Sequence, residues 1–335
     1  MTSHDSQPAP YFPPTLEELG RVHFIGIGGA GMSAIARILL GQGVPVSGSD
    51  AQASVGLTEL GALGATVHLG QHRDNVAAVD TVVVSTAIRA DNPELAAARD
   101  AGLRILHRSQ ALAAAMGEDT VVAVAGTHGK TTTTSMITVM LREAGVDASF
   151  AVGGTVQALG VNAAHGTAGV FVAEADESDA SFLNYRPNIC VVTNLEADHL
   201  DHYGTAEAVF AAFDDFISLL PADGLLVACS DDAGSAQLAA KARALGKRVM
   251  TYGYATGSDV RLLAAVPSAV SASAVSASAE ATLHTDTEIV VATGAEPLTA
   301  TVSDARPPSE VRVPDVDPDA TARLQHTASQ GKEFR

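Results

Sequence analysis

Residues 121–134 read VVAVAGTHGKTTTT, and this stretch decides the fold. The apolar run at 121–125 predicts a buried strand, and the pattern that opens at Lys130 predicts a helix ending near Glu143. A strand, a glycine turn, a Lys-Thr pair and a helix form the arrangement with which many proteins hold the phosphates of a nucleoside triphosphate. The stretch therefore predicts an α/β domain with a phosphate-binding loop.

Each residue type in this loop has a physical task. Glycines let backbone N–H groups approach phosphate oxygens, Lys130 would reach the β- and γ-phosphates, and the Thr131 hydroxyl would bind Mg²⁺. The leading glycine of the longer GxxxxGK[ST] pattern is absent, because Val124 stands at its position. The alternative is a glycine turn that only starts a helix, but such a turn needs neither Lys130 nor four consecutive threonines.

The composition narrows the class of protein. The chain has 335 residues, a length sufficient for two domains. Hydrophobic residues make up 47% and aromatic residues 4% of the chain, which has no tryptophan, so we expect aliphatic cores. Its formal net charge of -18 would repel nucleic acid and anionic membranes, and the sequence shows no basic patch. A phosphorylated ligand must then be held by amides, Lys130 and a metal ion.

The sequence also predicts a cytoplasmic location. Its two cysteines, Cys190 and Cys229, lie in apolar runs typical of reduced core residues. The N-terminus MTSHDSQPAPYFPP lacks the basic and apolar regions of a signal peptide, and no apolar run is long enough to cross a bilayer. We expect a soluble protein whose first 20 residues form a flexible arm.

A second glycine motif lies nearer the N-terminus. A predicted strand at 22–25 leads into GIGGAGM, after which a helical pattern continues to about Leu40. The GxGxxG pattern between strand and helix, with Asp50 about 20 residues further on, is typical of dinucleotide binding. It fits NAD(P), FAD or the diphosphate of a UDP-sugar, and it also fits glycines that only allow close packing of the helix.

Strands and helices alternate through the first domain, for which we predict the bounds 21–117. After the strand at 22–25, strands are expected at 44–47, 65–68 and 81–84, and helices at 57–63 and 93–101. Such alternation indicates a parallel sheet covered by helices. Ser85 follows the strand at 81–84, and so lies at the carboxyl edge where α/β ligands bind.

The second domain, predicted at 118–303, repeats this organisation. Its later strands are expected at 149–152, 169–173, 189–193, 224–229 and 248–252, and its helices at 206–219 and 234–245. Two of the strands run into EADESD at 174–179 and NLEADHLD at 194–201. Because the carboxyl ends of parallel strands share one edge, we expect Glu174 and His199 to lie near Lys130 and Thr131.

A hydroxyl, a carboxylate and an imidazole, completed by phosphate oxygens and water, would make a reasonable Mg²⁺ or Mn²⁺ site. The alternatives are a solvated acidic loop for EADESD and an ordinary surface histidine for His199. After about residue 258 the composition changes, and a strand-like segment at 288–292 is followed by an acidic, proline-rich stretch. We predict a disordered tail over 304–335.

The motifs GIGGAGM, VSGSD, GTHGKTTT, EADESD and TNLEADHLDHY, in this order, resemble those of the Mur ligases. The resemblance covers about residues 22–252. It implies a Rossmann-like N-terminal domain and a central α/β domain with the phosphate-binding loop. Within the family, the chain is similar to members that use ATP to join L-alanine to the lactyl carboxylate of UDP-N-acetylmuramic acid.

The resemblance assigns a role to each motif. The UDP-sugar would be bound by Gly26, Gly28, Gly29, Gly31, Asp50 and Ser85. ATP would be bound by Gly126, Thr127, His128, Gly129, Lys130, Thr131 and Thr132. The expected Mg²⁺ ligands are Thr131, Glu174 and His199. The expected catalytic residues are Lys130, His128, Glu174 and His199, with His128 near the reacting carboxylate.

Two segments that the family leads us to expect do not occur after residue 252: Gly-x-His-Asn-x-x-Asn and Asp-x-x-His-His-Pro. We therefore expect a chain that ends before its central domain is complete. The alternatives are a non-catalytic remnant that binds UDP-muramate or ATP, a sister ligase that adds a whole recycled peptide, and an NAD-dependent dehydrogenase. The phosphate-binding loop argues against the dehydrogenase, which needs none. The sequence leaves the oligomeric state open.

Overall fold

The protein is described by a computed structural model, which covers residues 12–267, 287–293 and 296–302. Its contacts divide the chain into two compact units, Met1–Arg261 and Leu262–Arg335. The larger unit contains two parallel-rich sheets, each covered by helices. The predicted α/β fold class is confirmed.

Five parallel strands form the first sheet, in the order β3-β2-β1-β4-β5. They are β1 Val22–Ile25, β2 Val46–Asp50, β3 Thr66–Leu69, β4 Thr81–Val84 and β5 Arg104–His107. All four residues of β1 are buried, as expected for the central strand of a sheet covered on both faces. The strand order reverses between β1 and β4, so ligands are expected at the carboxyl ends of these strands.

Side chains cap the N-termini of four of the five helices of this part. The helices are α1 Leu16–Leu19, α2 Ala30–Gly41, α3 Val55–Ala62, α4 Pro93–Asp100 and α5 Arg108–Met116. Asn92 caps α4 through the backbone N–H groups of Glu94 and Leu95, with Pro93 at the first helical position. The N-cap of α2 is Gly29, which supplies no side chain, so the amides of its first turn stay available.

The second sheet carries the phosphate-binding loop on its central strand. Its members within the larger unit are β6 Thr120–Ala125, β7 Ser149–Val156, β8 Val161–Ala164, β9 Val170–Glu174, β10 Ile189–Val192, β11 Leu225–Cys229, β12 Arg248–Gly253 and the first two residues of β13 Val260–Pro267, because this unit ends at Arg261. The order is β13-β12-β11-β10-β6-β9-β7-β8, antiparallel only between β7 and β8. Strand β6 therefore has β9 and β10 as its two neighbours.

Four helices accompany this sheet in the described residues: α6 Lys130–Glu143, α7 Leu200–Tyr203, α8 Ala206–Ser218 and α9 Ala233–Ala244. Phe182 packs between two phenylalanines of α8, with ring centroids 5.4 Å from Phe213 and 4.7 Å from Phe216. This cluster anchors the segment that follows β9, because Phe182 is fully buried.

Helix α2 connects the two sheets of the larger unit. It contacts α5 on one side and strands β7 and β8 on the other, and six of its twelve residues are buried. The side-chain amide of Asn162, in β8, donates a 3.0 Å hydrogen bond to the carbonyl of Ala30. The glycine-rich loop and the phosphate-binding loop are thereby brought to a common cleft.

In the smaller unit, β14 Thr287–Thr293 and β15 Glu296–Val302 form an antiparallel hairpin, in which Thr287 pairs with Val302. The strand-like segment predicted at 288–292 lies within β14. The predicted disorder over 304–335 falls outside the described residues, as do residues 1–11 of the flexible arm predicted over 1–20. The end of this arm departs from the prediction, because Leu16–Leu19 form α1 and Leu19 is fully buried. No helix in the described part of the chain has the length and apolar character needed to span a membrane.

Some elements differ from the sequence predictions. Strand β2 begins at Val46, not Val44, because the carbonyl of Pro45 accepts a hydrogen bond from Val22 N and the parallel ladder starts after it. Strands β5, β8 and β13 and helix α5 are absent from the prediction. Strands β5 and β8 have four residues each and lie at the edges of their sheets, where the apolar pattern is weak. The predicted domain boundary at 117 stays a prediction; it falls between α5 and β6.

Candidate nucleotide-binding site

The phosphate-binding loop connects β6 to α6. Gly126 has φ +135°, and a Cβ at this position would lie 2.2 Å from Thr193 Oγ1, so a side chain would not fit without displacing the loop. Gly129 is the N-cap of α6 and has φ +82°. The two glycines are required because L-residues rarely adopt these conformations.

The segment after β10 holds this loop in place. Asn194 Oδ1 accepts a 2.8 Å hydrogen bond from His128 N, and Thr193 Oγ1 donates to His128 O at 2.6 Å. The amide of Glu196 donates to Thr127 Oγ1 at 3.0 Å. The loop is therefore preformed by the protein itself. The His128 side chain is exposed and the Thr132 side chain lies exposed in the first turn of α6.

Lys130 is the first residue of α6, and its side chain folds back over the loop. Its ammonium donates to Gly126 O at 2.7 Å, to Thr127 O at 3.3 Å and to Glu177 Oε1 at 2.8 Å. The Lys130 side chain is 16% exposed and the Glu177 side chain 3%. A cation thus lies at the N-terminus of a 14-residue helix, where anions bind.

The Glu177 carboxylate is buried, and one of its oxygens accepts a hydrogen bond from Lys130. Burial raises the pKa of its carboxyl, and the hydrogen bond from Lys130 offsets part of that rise. Within the described residues its Oε2 has no hydrogen-bond partner. The backbone of Glu177 is fixed by the Tyr203 hydroxyl, which donates to its carbonyl. Lys130 is therefore held by a carboxylate whose own backbone carbonyl is hydrogen-bonded.

Two of the three candidate metal ligands are in contact with each other. Thr131 Oγ1 lies 3.0 Å from both carboxylate oxygens of Glu174, and Gly153 N donates to Glu174 Oε2 at 2.7 Å. His199 Nε2 lies 3.8 Å from Glu177 Oε1 and 3.9 Å from Asp198 Oδ2. The structure brings Thr131 and Glu174 together, whereas His199 lies near Glu177 and Asp198.

Thr131 and Glu174 supply some of the oxygen ligands that a hard divalent cation needs. A hydroxyl and a carboxylate at the first turn of α6 are oxygen ligands of the kind that Mg²⁺ prefers. Across the described residues, no group of three or more His, Cys, Asp or Glu side chains is arranged to hold a metal without further ligands. Phosphate oxygens and water would have to complete the coordination, as Mg²⁺ usually requires.

Several backbone N–H groups of the glycine-rich loop in the first sheet already donate hydrogen bonds within the protein. Gly26 N and Ile27 N donate to Ser49 O at 2.8 and 3.0 Å, and Gly28 N donates to Asp50 Oδ2 at 2.9 Å. Asp50 thus lies beside the loop as the spacing predicts. Gly29 N donates to Gly26 O at 3.2 Å, so the amides left for an anion are those of the first turn of α2.

Ser85 and Gly31 lie on the same side of the molecule. Ser85 directly follows β4, next to β1, and is half-buried. Gly31 lines a cavity of about 170 Å³ between α2 and the second sheet. Lys130 and Glu174 line this cavity too, together with Arg108 and Asp176. The two predicted nucleotide loops therefore open into one cleft.

The sequence analysis gave no individual role to three residues of the site, which are Arg108, Asp176 and Glu177. Arg108 Nη2 donates to Asp176 Oδ2 at 2.7 Å across the cleft. Burial raises the pKa of the Asp176 carboxyl, but hydrogen bonds from Ser178 and Arg108 outweigh it, so the pKa lies below its usual value. The EADESD run indicated Asp176 and Glu177 only as members of an acidic group. Arg108 follows a strand that was not predicted, so no sequence pattern indicated it.

Comparison with known proteins gives a consistent result. Residues 21–120 match a model described as the Mur ligase family, catalytic domain, and residues 124–290 match the Mur ligase middle domain. A UDP-N-acetylmuramate–L-alanine ligase of Renibacterium salmoninarum is 72% identical over 248 residues, which are 74% of this chain and 53% of that protein. The corresponding ligase of Paenarthrobacter aurescens is 63% identical over 74% of this chain and 54% of its own length.

Solved structures give the same fold. A UDP-N-acetylmuramate–alanine ligase of Thermotoga maritima superposes with a TM-score of 0.68 at 26% identity, covering 93% of this chain and 66% of that chain. A murein peptide ligase of Neisseria meningitides has a TM-score of 0.67 at 27% identity, covering 81% and 84%. The chain spans about half the length of the curated relatives it matches.

Proposed function

The chain belongs to the Mur ligase family, and we propose that its two α/β domains bind UDP-N-acetylmuramic acid and Mg-ATP for ligation of L-alanine. The observation that carries the proposal is the convergence of the glycine-rich loop and the phosphate-binding loop on one cleft, where Gly31 and Lys130 both line the cavity. A ligase needs this arrangement because the acceptor carboxylate must meet the γ-phosphate of ATP.

The proposed ATP site is the loop Gly126–Gly129 with the first turn of α6. Backbone N–H groups and the helix N-terminus would bind the phosphates, with Thr127, His128 and Thr132 beside them. Lys130 would transfer its hydrogen bonds from the loop carbonyls to phosphate oxygens and offset their charge. This matters in a chain of net charge -18, which otherwise repels a nucleotide.

We propose Thr131 and Glu174 as the ligands of Mg²⁺, with His199 as a third candidate. Bound there, Mg²⁺ would neutralise charge on the nucleotide phosphates. The Thr131–Glu174 contact at 3.0 Å supports the first two assignments. The contact of His199 with Glu177 also supports a different task, namely holding the carboxylate that positions Lys130.

The proposed UDP-sugar site is the loop Gly26–Gly31 with Asp50 and Ser85 at its sides. The first-turn amides of α2 would bind the diphosphate, and Asp50 would bind a ribose hydroxyl. The sugar would then extend along the cleft toward Lys130, since Gly31 and Lys130 line the same cavity. This direction would bring the reacting carboxylate of the sugar to the proposed ATP site, for which His128 is the proposed neighbour.

The proposed reaction has two steps. A carboxylate oxygen of the muramic acid attacks the γ-phosphorus and ADP leaves, which gives an acyl phosphate. The amine of L-alanine then attacks the acyl carbon, phosphate leaves, and the amine gives up a proton as the amide forms. The residues of this chain contribute by orienting the carboxylate against the phosphate and by offsetting charge. The proposed substrates imply a cytoplasmic location.

A second candidate is the ligation of a whole peptide to the same nucleotide sugar. The structural comparison supports both reactions equally, since the TM-scores are 0.68 for the alanine ligase and 0.67 for the peptide ligase. The curated relatives at 72% and 63% identity carry the name of the alanine ligase. We therefore propose L-alanine as the substrate.

Phosphate release tests the proposal. The purified chain is incubated with UDP-N-acetylmuramic acid, Mg-ATP and L-alanine, each omitted in turn, and with L-alanyl peptide in place of alanine. Release that requires all three supports alanine ligation, and release only with the peptide supports the second candidate. If there is no release and neither nucleotide raises the melting temperature of the chain, the proposed binding sites are wrong.

A further inference from the structure

We propose that Arg108 contacts the diphosphate of the nucleotide sugar, and that Asp176 is its partner only while the diphosphate is absent. This inference rests on the proposed UDP-sugar site and assigns a further binding residue to it. Arg108 is the first residue of α5 and directly follows β5, so it lies at the carboxyl end of a strand in the sheet that carries the glycine-rich loop. Asp176 follows β9 of the second sheet.

The first observation is the distance between Arg108 and the glycine-rich loop. A Cβ built on Gly31 would lie 3.5 Å from Arg108 Nη1, closer than to any other heavy atom outside the chain neighbours and the helix itself. The guanidinium therefore lies over the first turn of α2. An anion bound to the amides of that turn would be within reach of Arg108.

The second observation is the shortage of other donors at this loop. The amides of Gly26, Gly28 and Gly29 are already used inside the protein. A diphosphate needs more than the first-turn amides of one helix, because the chain carries a net charge of -18. A guanidinium is well suited to this task, since its planar N–H groups bind two phosphate oxygens at once.

The third observation is that the existing partner of Arg108 is exchangeable. The side chains of Arg108 and Asp176 are 28% and 35% exposed, so the ion pair is only partly buried and a ligand in the cleft can reach both groups. Asp176 Oδ1 also accepts hydrogen bonds from Ser178 N at 3.1 Å and Ser178 Oγ at 2.7 Å. The carboxylate therefore keeps two partners when Arg108 moves to a ligand.

The other cation of the cleft is committed elsewhere. Lys130 donates to two carbonyls of its own loop and to Glu177, and none of these acceptors belongs to the first sheet. Arg108 and Lys130 thus serve different loops, although both line the cavity. We expect Arg108 to act on binding of the nucleotide sugar and Lys130 to act on binding of ATP.

Calorimetric titration with UDP, uridine and Mg-ATP tests this assignment on the full chain. Arg108→Ala should weaken UDP binding about 10- to 100-fold, the usual effect of losing a hydrogen bond between charged groups, with uridine and Mg-ATP binding unchanged. Asp176→Asn should tighten UDP binding by about 3- to 10-fold, because it removes the competing carboxylate. Arg108→Lys should restore part of the affinity for UDP.

Arg21→Ala is the matched control. Arg21 also pairs with an aspartate, Asp80, at 3.0 Å, but it precedes β1 at the opposite edge of the first sheet. This variant should bind UDP as the wild type does.

The outcomes separate the inference from the proposed function. Two results for Arg108→Ala would show that Arg108 is not a diphosphate ligand: an affinity for UDP equal to that of the wild type, or an equal loss of affinity for UDP and uridine. Either result would overturn the inference but leave the proposed UDP-sugar site in place. Weaker UDP binding by Asp176→Asn would show that the pair is needed intact, which also overturns it. If the wild type binds neither UDP nor uridine, the proposed site and the inference are both wrong.

Discussion

Lys130 and Glu177 form a buried ion pair at the phosphate-binding loop, with the ammonium 2.8 Å from a carboxylate that is 3% exposed. The residues are far apart in sequence and meet because β9 lies next to β6 in the second sheet. The pair holds the lysine over its loop before any nucleotide is bound. A preorganised lysine loses less conformational entropy when phosphate arrives.

Lys130→Met should abolish ATP binding and lower the free energy of unfolding by about 3 kcal/mol, because it leaves a buried carboxylate without its partner. The double variant Lys130→Met/Glu177→Gln should recover about half of that loss, since the unpaired charge is removed as well. Chemical unfolding of both variants, together with calorimetric titration of Mg-ATP, measures the two effects separately.

Lys241→Met is the control for that experiment. Lys241 also pairs with a carboxylate at 2.8 Å, that of Asp214, but these side chains are 45% and 40% exposed. The change in unfolding free energy should stay within about 0.5 kcal/mol. Equal losses in the Lys130 and Lys241 variants would contradict the structural role assigned to the buried pair.

Glu174→Gln should weaken Mg²⁺-dependent ATP binding by about tenfold, because a neutral amide is a poorer ligand for Mg²⁺ than a carboxylate. Binding of ATP without Mg²⁺ should be unchanged. A magnesium titration at constant ATP measures the effect, and Glu196→Gln, at an exposed position in the segment after β10, serves as control. A Glu174 variant with the same magnesium dependence as the wild type would remove this residue from the metal site.

Gly126→Ala should destabilise the protein by about 3 kcal/mol and disrupt the loop, since the new Cβ would lie 2.2 Å from Thr193 Oγ1 at a φ of +135°. Gly129→Ala is the matched comparison, because this glycine has φ +82° but no atom within 4 Å of an added Cβ. Its cost should be about 1 kcal/mol, from backbone conformation alone. Similar melting temperatures for the two variants would contradict this ranking.

Glu94→Gln should lower the free energy of unfolding by about 2 kcal/mol near pH 7, because the fully buried carboxylate accepts hydrogen bonds from Ser49 Oγ and Asn75 Nδ2, each at 2.6 Å. Burial raises the pKa of this carboxyl. The nearby His23 ring, whose Nε2 lies 3.6 Å from the carboxylate, and the hydrogen bonds from Ser49 and Asn75 together outweigh burial and leave the pKa below its ordinary value of 4.5.

The sign of the pH dependence follows from that direction. A carboxyl with a lowered pKa in the folded state contributes stability above its unfolded value, and this contribution is lost as the pH falls through the folded pKa. The stability difference between wild type and Glu94→Gln should therefore be constant from pH 6 to 8 and shrink below about pH 4.5. A difference that grows on acidification would show that the carboxyl is not stabilised in its charged form.

The sequence alone determined the α/β class, most of the strands and the two glycine turns that connect a strand to a helix. Local sequence patterns are sufficient to predict these features. A buried parallel strand is a continuous apolar run, and a glycine turn before a helix can be identified from neighbouring residues alone. The same signals placed Asp50 beside Gly28 and Glu174 beside Thr131, because parallel strands end at a common edge.

Only the tertiary structure decided which charged groups meet. The pairs Lys130–Glu177 and Arg108–Asp176 depend on strand order and on how α2 packs against β7 and β8. His199 lies near Glu177 for the same reason, although the sequence grouped it with Glu174. Strand ends share an edge whatever their order, but side-chain partners are fixed by long-range contacts that no local pattern encodes.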